Sequence, residues 1–148
     1  MAMLPLEEGY FTVPEKEGER PRLLGSYSPA ADTYFFPRRK RCPITEQPVN
    51  DVELSSEGTL YSWTFVVSPW MGKGKFADGV QGHGVGQIDL PEGVRVQGVI
   101  EGDMGDWECG MAMGLDLMPI MKDGDGNDLC TFRFVPLEGP AGTKEVSA

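Results

Sequence analysis

From Glu57 to Val67 the chain reads Glu-Gly-Thr-Leu-Tyr-Ser-Trp-Thr-Phe-Val-Val, a glycine-marked start followed by an almost unbroken run of β-branched and aromatic residues. Such a run is the strongest strand signal a sequence offers. With side chains alternating along a strand, Thr59, Tyr61, Trp63, Phe65 and Val67 share one face and Leu60, Ser62, Thr64 and Val66 the other. The first face is almost wholly apolar, so it needs a core or a partner. This strand leads out of a small module on its N-terminal side and into further strands on its C-terminal side.

Twenty glycines and twelve prolines in 148 residues call for many turns and short elements, which favours an all-β arrangement over a helical one. At 40% hydrophobic content the chain can fill one real core. No apolar stretch approaches eighteen residues, so a spanning helix is not expected. The first residues lack the basic segment and apolar run of a secretory leader, and three widely spaced cysteines, Cys42, Cys109 and Cys130, do not make a disulfide framework. A cytoplasmic location is the expectation that follows. The net charge of -10 is uneven: residues 1 to 75 carry nine Lys/Arg against ten Asp/Glu, and residues 76 to 148 carry four against thirteen. The second half repels a phosphate backbone.

Residues 1 to 22, with Pro5, Pro14 and Pro21, read as an extended N-terminal arm with little fixed structure of its own. Residues 23 to 50 are turn-rich and hold Tyr27, Tyr34, Phe35 and Phe36, too short a segment for a core unless a metal or the next domain supports it. Ser68 to Gly86 is a long glycine-rich connection with Trp70, Lys73, Lys75 and His83. Val85–Leu90 and Val94–Glu101 flank Pro91-Glu92-Gly93 as a hairpin, Asp103–Glu108 is one helical turn, Met111–Met121 alternates, and Leu129–Val135 is a last strand after the turn Asp123–Asn127. The order β-β-β-α-β-β over 51 to 136 is that of a five-stranded OB-fold Greek-key barrel, with 137 to 148 as a flexible tail.

The segments Leu23-Leu24-Gly25, Phe36-Pro37-Arg38, Cys42-Pro43, Gly58 to Thr64, Gln87 to Arg95 and Cys109-Gly110-Met111 stand in an order and spacing that resembles a known family. Its members are acyl-CoA-associated proteins that join a rubredoxin-like zinc ribbon to an OB-fold, long known as a domain of unknown function. The resemblance spans roughly residues 23 to 136. It implies two Cys-x-x-Cys knuckles, whose four ligand positions fall here on Ser28, Ala31, Cys42 and Thr45. One thiol of four does not meet the requirement of structural zinc for Cys or His ligands, so a degenerate, metal-free ribbon held by its aromatics is expected. The resemblance also implies an accessory subunit of thiolase-like condensing enzymes or related aldolases, in which the partner supplies the catalytic groups.

Several clusters are candidates for binding. Arg38-Arg39-Lys40-Arg41 is the one basic run; it reads either as a clamp for the phosphates of coenzyme A, which arginine grips with two donors, or as a solvated or partner-facing surface. Trp70, Lys73 and Lys75 on the glycine-rich connection could join it. Tyr61, Trp63 and Phe65 could stack bases, but the acidic second half favours a structural role in core or interface. His83 is the only histidine and has no nucleophile in a recognisable context beside it. Cys109 and Cys130 read as small, partly buried fillers. Asp123, Asp125 and Asn127 begin like a calcium loop, but Asp128 and Phe134 stand where such a loop needs Gly and Glu.

The functional expectation is a non-catalytic subunit that binds a thiolase-superfamily enzyme, a thiolase or retro-aldolase. It would help hold a CoA thioester in degradation of an aromatic, steroid or fatty acyl-CoA, with no cofactor of its own. The alternatives are an OB-fold nucleic-acid-binding module or a partner of an acyl-CoA hydratase.

Overall fold

The strand from Glu57 to Val67 forms as its composition dictates, but it is not a single alternating ladder. In the computed structural model, which describes residues 2–67, 74–75 and 81–137 (for 74, 75 and 81 the backbone alone), Leu60 pairs with Ile88 and the next pair is Ser62 with Gln87. Tyr61 is therefore an extra residue, a β-bulge, and the bulge reverses which side chains face inward. Leu60 is buried before it, Trp63 and Phe65 turn toward the core after it, and Tyr61 is 51% exposed. The single apolar face expected from alternation is thus split between the two sides. Tyr61 is not part of the core.

Ten strands are described: β1 (Met3–Pro5), β2 (Leu24–Ser28), β3 (Thr33–Phe35), β4 (Asn50–Glu53), β5 (Glu57–Val67), β6 (Gly74–Lys75), β7 (Gln81–Asp89), β8 (Arg95–Ile100), β9 (Ala112–Lys122) and β10 (Asp128–Pro136). The antiparallel run β9-β5-β7-β8 closes on itself because β10 pairs antiparallel with β9 and parallel with β8 at Phe134↔Ile100. This is a closed five-stranded OB-fold barrel, and closure removes the sheet edges that would otherwise seek partners. Leu60, Ile88, Ile100, Met113, Leu115 and Phe134 fill it, all essentially inaccessible. Each such side chain contributes roughly 1.5 to 3 kcal/mol of burial.

β7 begins at Gln81, so residues 81 to 84, expected in the connection, are strand. The reason is visible on its inner face. A Cβ at Gly84 would collide with the indole of Trp107, and one at Gly86 would lie 2.9 Å from Leu60 and Ile100. Glycine here makes room for an aromatic cap, in which Trp107 packs on Trp63 with ring centroids 5.2 Å apart and donates its indole N–H to the Glu101 carbonyl at 2.9 Å. The expected helical turn at Asp103–Glu108 is instead a hydrogen-bonded turn: the Asp106 amide donates to the Asp103 carbonyl, with Gly102 and Gly105 at positive φ. No helix occurs among the described residues.

A separate sheet, β3-β2-β4, forms the N-terminal module. The arm before it is ordered on the rest of the protein. β1 lies parallel along β10, Phe11 bridges Leu23, and Tyr10 and Thr12 exchange backbone hydrogen bonds with Leu24 and Arg22. Phe11 is the cause, since its buried ring meets Phe132 edge-on at 6.2 Å, while Phe36 meets both Tyr10 and Phe132. The aromatics thus tie arm, module and barrel together.

Candidate functional site

Two turns of the N-terminal module carry the four positions at which the resemblance placed metal ligands, and the structure brings them together. In the turn between β2 and β3, the Ser28 hydroxyl accepts the Ala31 amide at 3.1 Å. In the second turn the Cys42 sulfur accepts the Thr45 amide at 3.4 Å, while Glu46 and Gln47 close the loop on the backbone of Cys42. Each turn therefore folds as a knuckle, with the amide of the third residue on aimed back at the side-chain heteroatom of the first. Ser28 and Cys42 approach each other between the turns, both almost inaccessible, near enough for the hydroxyl to act on the thiol.

A thiol, two hydroxyls and a methyl group do not make the tetrahedral Cys/His set that zinc requires. Among the described residues no group of three or more His, Cys, Asp or Glu is placed to hold a metal. Hydrogen bonding now occupies the space between the knuckles. Burial pushes the Cys42 thiol up, but hydrogen bonds from Ser28, from the Thr45 hydroxyl and from the Thr45 and Ile44 amides outweigh it and bring the group down to about 7. Thr45 and Ile44 thus treat the sulfur much as they would a metal-bound thiolate.

The basic run lies next to this pair and is divided by it. Arg39 is pinned through its backbone, its amide donating to the buried Ser26 hydroxyl at 2.8 Å. Arg41 turns back to the second knuckle, reaching the Glu46 carbonyl at 3.5 Å. Arg38, Arg39 and Lys40 instead line an open groove between module and arm, opposite Glu7, Glu8 and Asp51. Arg38 pairs with Asp51 at 3.5 Å, a solvent-exposed contact of the kind worth at most about 1 kcal/mol. Three cations thus face three carboxylates, and an anion entering the groove competes with them. Glu7 and Glu8 were missed as groove residues from sequence; the available signal was an acidic pair on an arm facing a basic run of similar length.

Trp70 and Lys73 lie outside the described residues. Lys75 sits on β6, paired with Gln81, and its side chain is likewise outside them. Trp63 and Phe65 pack against Trp107 under the aromatic cap. Tyr61 is covered from outside: the Arg95 guanidinium lies 3.4 Å above its ring and is held there by Asp89 through two hydrogen bonds of 2.6 and 3.2 Å. His83 faces outward on β7 beside Val66 and its Nδ1 is buried without a hydrogen-bond partner. No nucleophile with an adjacent base is found among the described residues. Cys109 is exposed rather than a filler, whereas Cys130 is buried, and burial together with Asp128 pushes its thiol up. The Asp123 carboxylate, which opened the calcium-like pattern, accepts from the amides of Asp125 and Asn127 and the Asn127 side chain, so it closes the β9–β10 turn.

With this geometry in hand, comparison with known proteins shows the following likenesses. Residues 51–116 match the model of the family described as the ChsH2 C-terminal OB-fold domain. The chain is 28% identical over 119 residues to the benzoylsuccinyl-CoA thiolase subunit BbsA of Thauera aromatica, covering 80% of this chain and 78% of that one. It shares its fold with a solved structure described as the Ltp2-ChsH2(DUF35) aldolase, at a TM-score of 0.57 and 24% identity, over 78% of this chain and 84% of that one.

Proposed function

We propose that this chain is a non-catalytic accessory subunit of a thiolase-superfamily enzyme, a thiolase or retro-aldolase, and that it helps hold the CoA thioester while the enzyme breaks or forms a carbon-carbon bond. The observation that carries this reading is the match to a thiolase subunit, which runs through both the N-terminal module and the barrel. The site chemistry supports it. The described residues offer a basic groove and buried hydrogen-bonded knuckles, but no nucleophile paired with a base. In this reading Arg38, Arg39 and Lys40 meet the coenzyme A phosphates, with the Arg38–Asp51 contact opening to admit them, and Trp70, Lys73 and Lys75 belong to the surface turned to ligand or partner.

The nucleic-acid alternative lacks support from the barrel face. Tyr61 is already stacked by Arg95, and Trp63 and Phe65 point into the aromatic cap, so the aromatics are not open to bases. Three free thiols accord with a reducing, cytoplasmic setting. The test is affinity purification of the tagged chain at native expression level, with mass spectrometry and native mass measurement of the recovered assembly. A thiolase-superfamily protein in fixed stoichiometry is the expected result, and its absence from every preparation overturns the reading.

A further inference from the structure

The β9–β10 hairpin outgrows the barrel that it closes. β9 pairs with β5 only at Ala112–Gly114 and β10 meets β8 at Phe134, so the far half of the hairpin, out to Lys122 and Asp128, projects beyond closure. There the free edge of β10 is taken by β1. The register fixes which side chains share a face of this three-stranded ribbon. Leu4, Leu129 and Met121 form one row, and Thr131 and Met118 follow on the same side. The adjacent row, Met3, Asp128 and Lys122, points the other way and carries an ion pair of 2.8 Å between Lys122 and Asp128. The row with Lys122 and Asp128 lies on the face that continues into the barrel core at Cys130 and Leu117, while the opposite face presents Leu4, Leu129, Met121 and Met118 around Thr131, ahead of the Arg133–Asp116 ion pair. Leu4, Leu6, Ile120 and Met121 remain between 38% and 53% exposed.

An exposed apolar ribbon at a sheet edge is a liability that folded proteins block or cover. Here the edges are blocked but the face is not. Pro5 on β1 and Pro119 on β9 have no N–H to offer an added strand, which excludes edge-to-edge addition at those positions. We propose that this outer face is the docking surface for the enzyme subunit of the preceding section, a reading on which this inference rests. The occupant presents an apolar strip with a Lys/Arg rim. Glu7 and Glu8 at the start of the arm and Asp125 at the hairpin tip make no ion pair among the described residues, whereas Lys122 and Arg133 nearby are each already paired with carboxylates. A second copy of this chain would set two acidic rims against each other, so charge selects a basic partner over self-association. Met118 and Met121 suit such a contact because their side chains adapt to a facing surface.

The test uses the full chain and, as probe, the thiolase-superfamily protein recovered with it. Leu4→Glu and Met121→Glu should each weaken the measured affinity about 10- to 100-fold, as expected for a charge at the centre of an apolar contact. Met104→Glu, at the opposite end of the barrel, should bind like wild type, and all three should keep the wild-type melting profile. Wild-type affinity in folded Met121→Glu overturns the docking face while leaving the accessory reading intact. A wild-type dimer in sedimentation that Met121→Glu dissolves makes a second copy the occupant and overturns it as well. Failure of the wild-type chain to bind any thiolase-superfamily protein removes both proposals.

Discussion

Replacing Gly84 by alanine places a methyl group where the Trp107 indole already lies. Trp107 is 5% exposed, stacked on Trp63 and hydrogen-bonded to Glu101, so it has little freedom to retreat. Overpacking of this kind costs about 1 to 3 kcal/mol. Trp107→Ala removes the obstacle, and with it a buried ring worth about 3 to 5 kcal/mol together with the indole hydrogen bond. Once the indole is gone only the approach to the Ile100 side chain at 2.7 Å remains, and the cost of the new methyl group should fall. The two substitutions are therefore not additive, and the coupling should be about 1 to 3 kcal/mol in the sense that the double variant is more stable than the sum predicts. Urea unfolding followed by far-ultraviolet circular dichroism reads this directly. With a slope of about 2 kcal/mol per molar urea, Trp107→Ala lowers the midpoint by about 2 M and leaves a folded baseline in a domain of ordinary stability. Additive effects, or a Gly84→Ala variant as stable as wild type, refute the idea that β7 carries glycine to admit the aromatic cap.

The Cys42 thiol, held at about 7 in the fold against an ordinary 9.0, adds stability that is complete above pH 9 and lost as pH falls through 7. Unfolding free energy of wild type relative to Cys42→Ser should rise from pH 7 to 9; parallel profiles contradict the hydrogen-bonded knuckle. Completing the ligand set with Ser28→Cys, Ala31→Cys and Thr45→Cys should yield about one equivalent of bound zinc by elemental analysis, a result that fails if the two turns do not face each other as the Ser28–Cys42 contact indicates. Tyr61→Ala should cost less than about 1 kcal/mol, because the ring is outside the core and its Arg95 partner stays paired with Asp89. A loss of several kcal/mol by urea unfolding would restore Tyr61 to the core.

Local alternation and turn chemistry made the barrel readable: the strand at 57 to 67, the hairpin over Pro91-Glu92-Gly93 and the pair of strands on either side of Asp123–Asn127 all lie where periodicity puts them. What periodicity does not reveal is a register shift. The bulge at Tyr61 moves one aromatic out and brings the next two in, and nothing in the composition of the strand marks it. The first part of β7 was hidden for a related reason, since Gly82 and Gly84 read as loop until the rings of Phe65 and Trp107 that they accommodate are known. The ordered arm depends on Phe11 finding Leu23 and Phe132 across long stretches of chain, a contact without local signature. At the ribbon, spacing located the four knuckle positions; the approach of Ser28 to Cys42 and the carboxylates opposite the basic run required the fold.

A subunit of this kind assists catalysis without performing it. Turnover of an acyl-CoA substrate should be measured for this chain alone, for the co-purifying thiolase-superfamily protein alone, and for the two recombined. No turnover from this chain alone is expected, and the recombined pair should show a gain in rate or in apparent CoA-thioester affinity. Turnover by the isolated chain, or a partner indifferent to its presence, contradicts it.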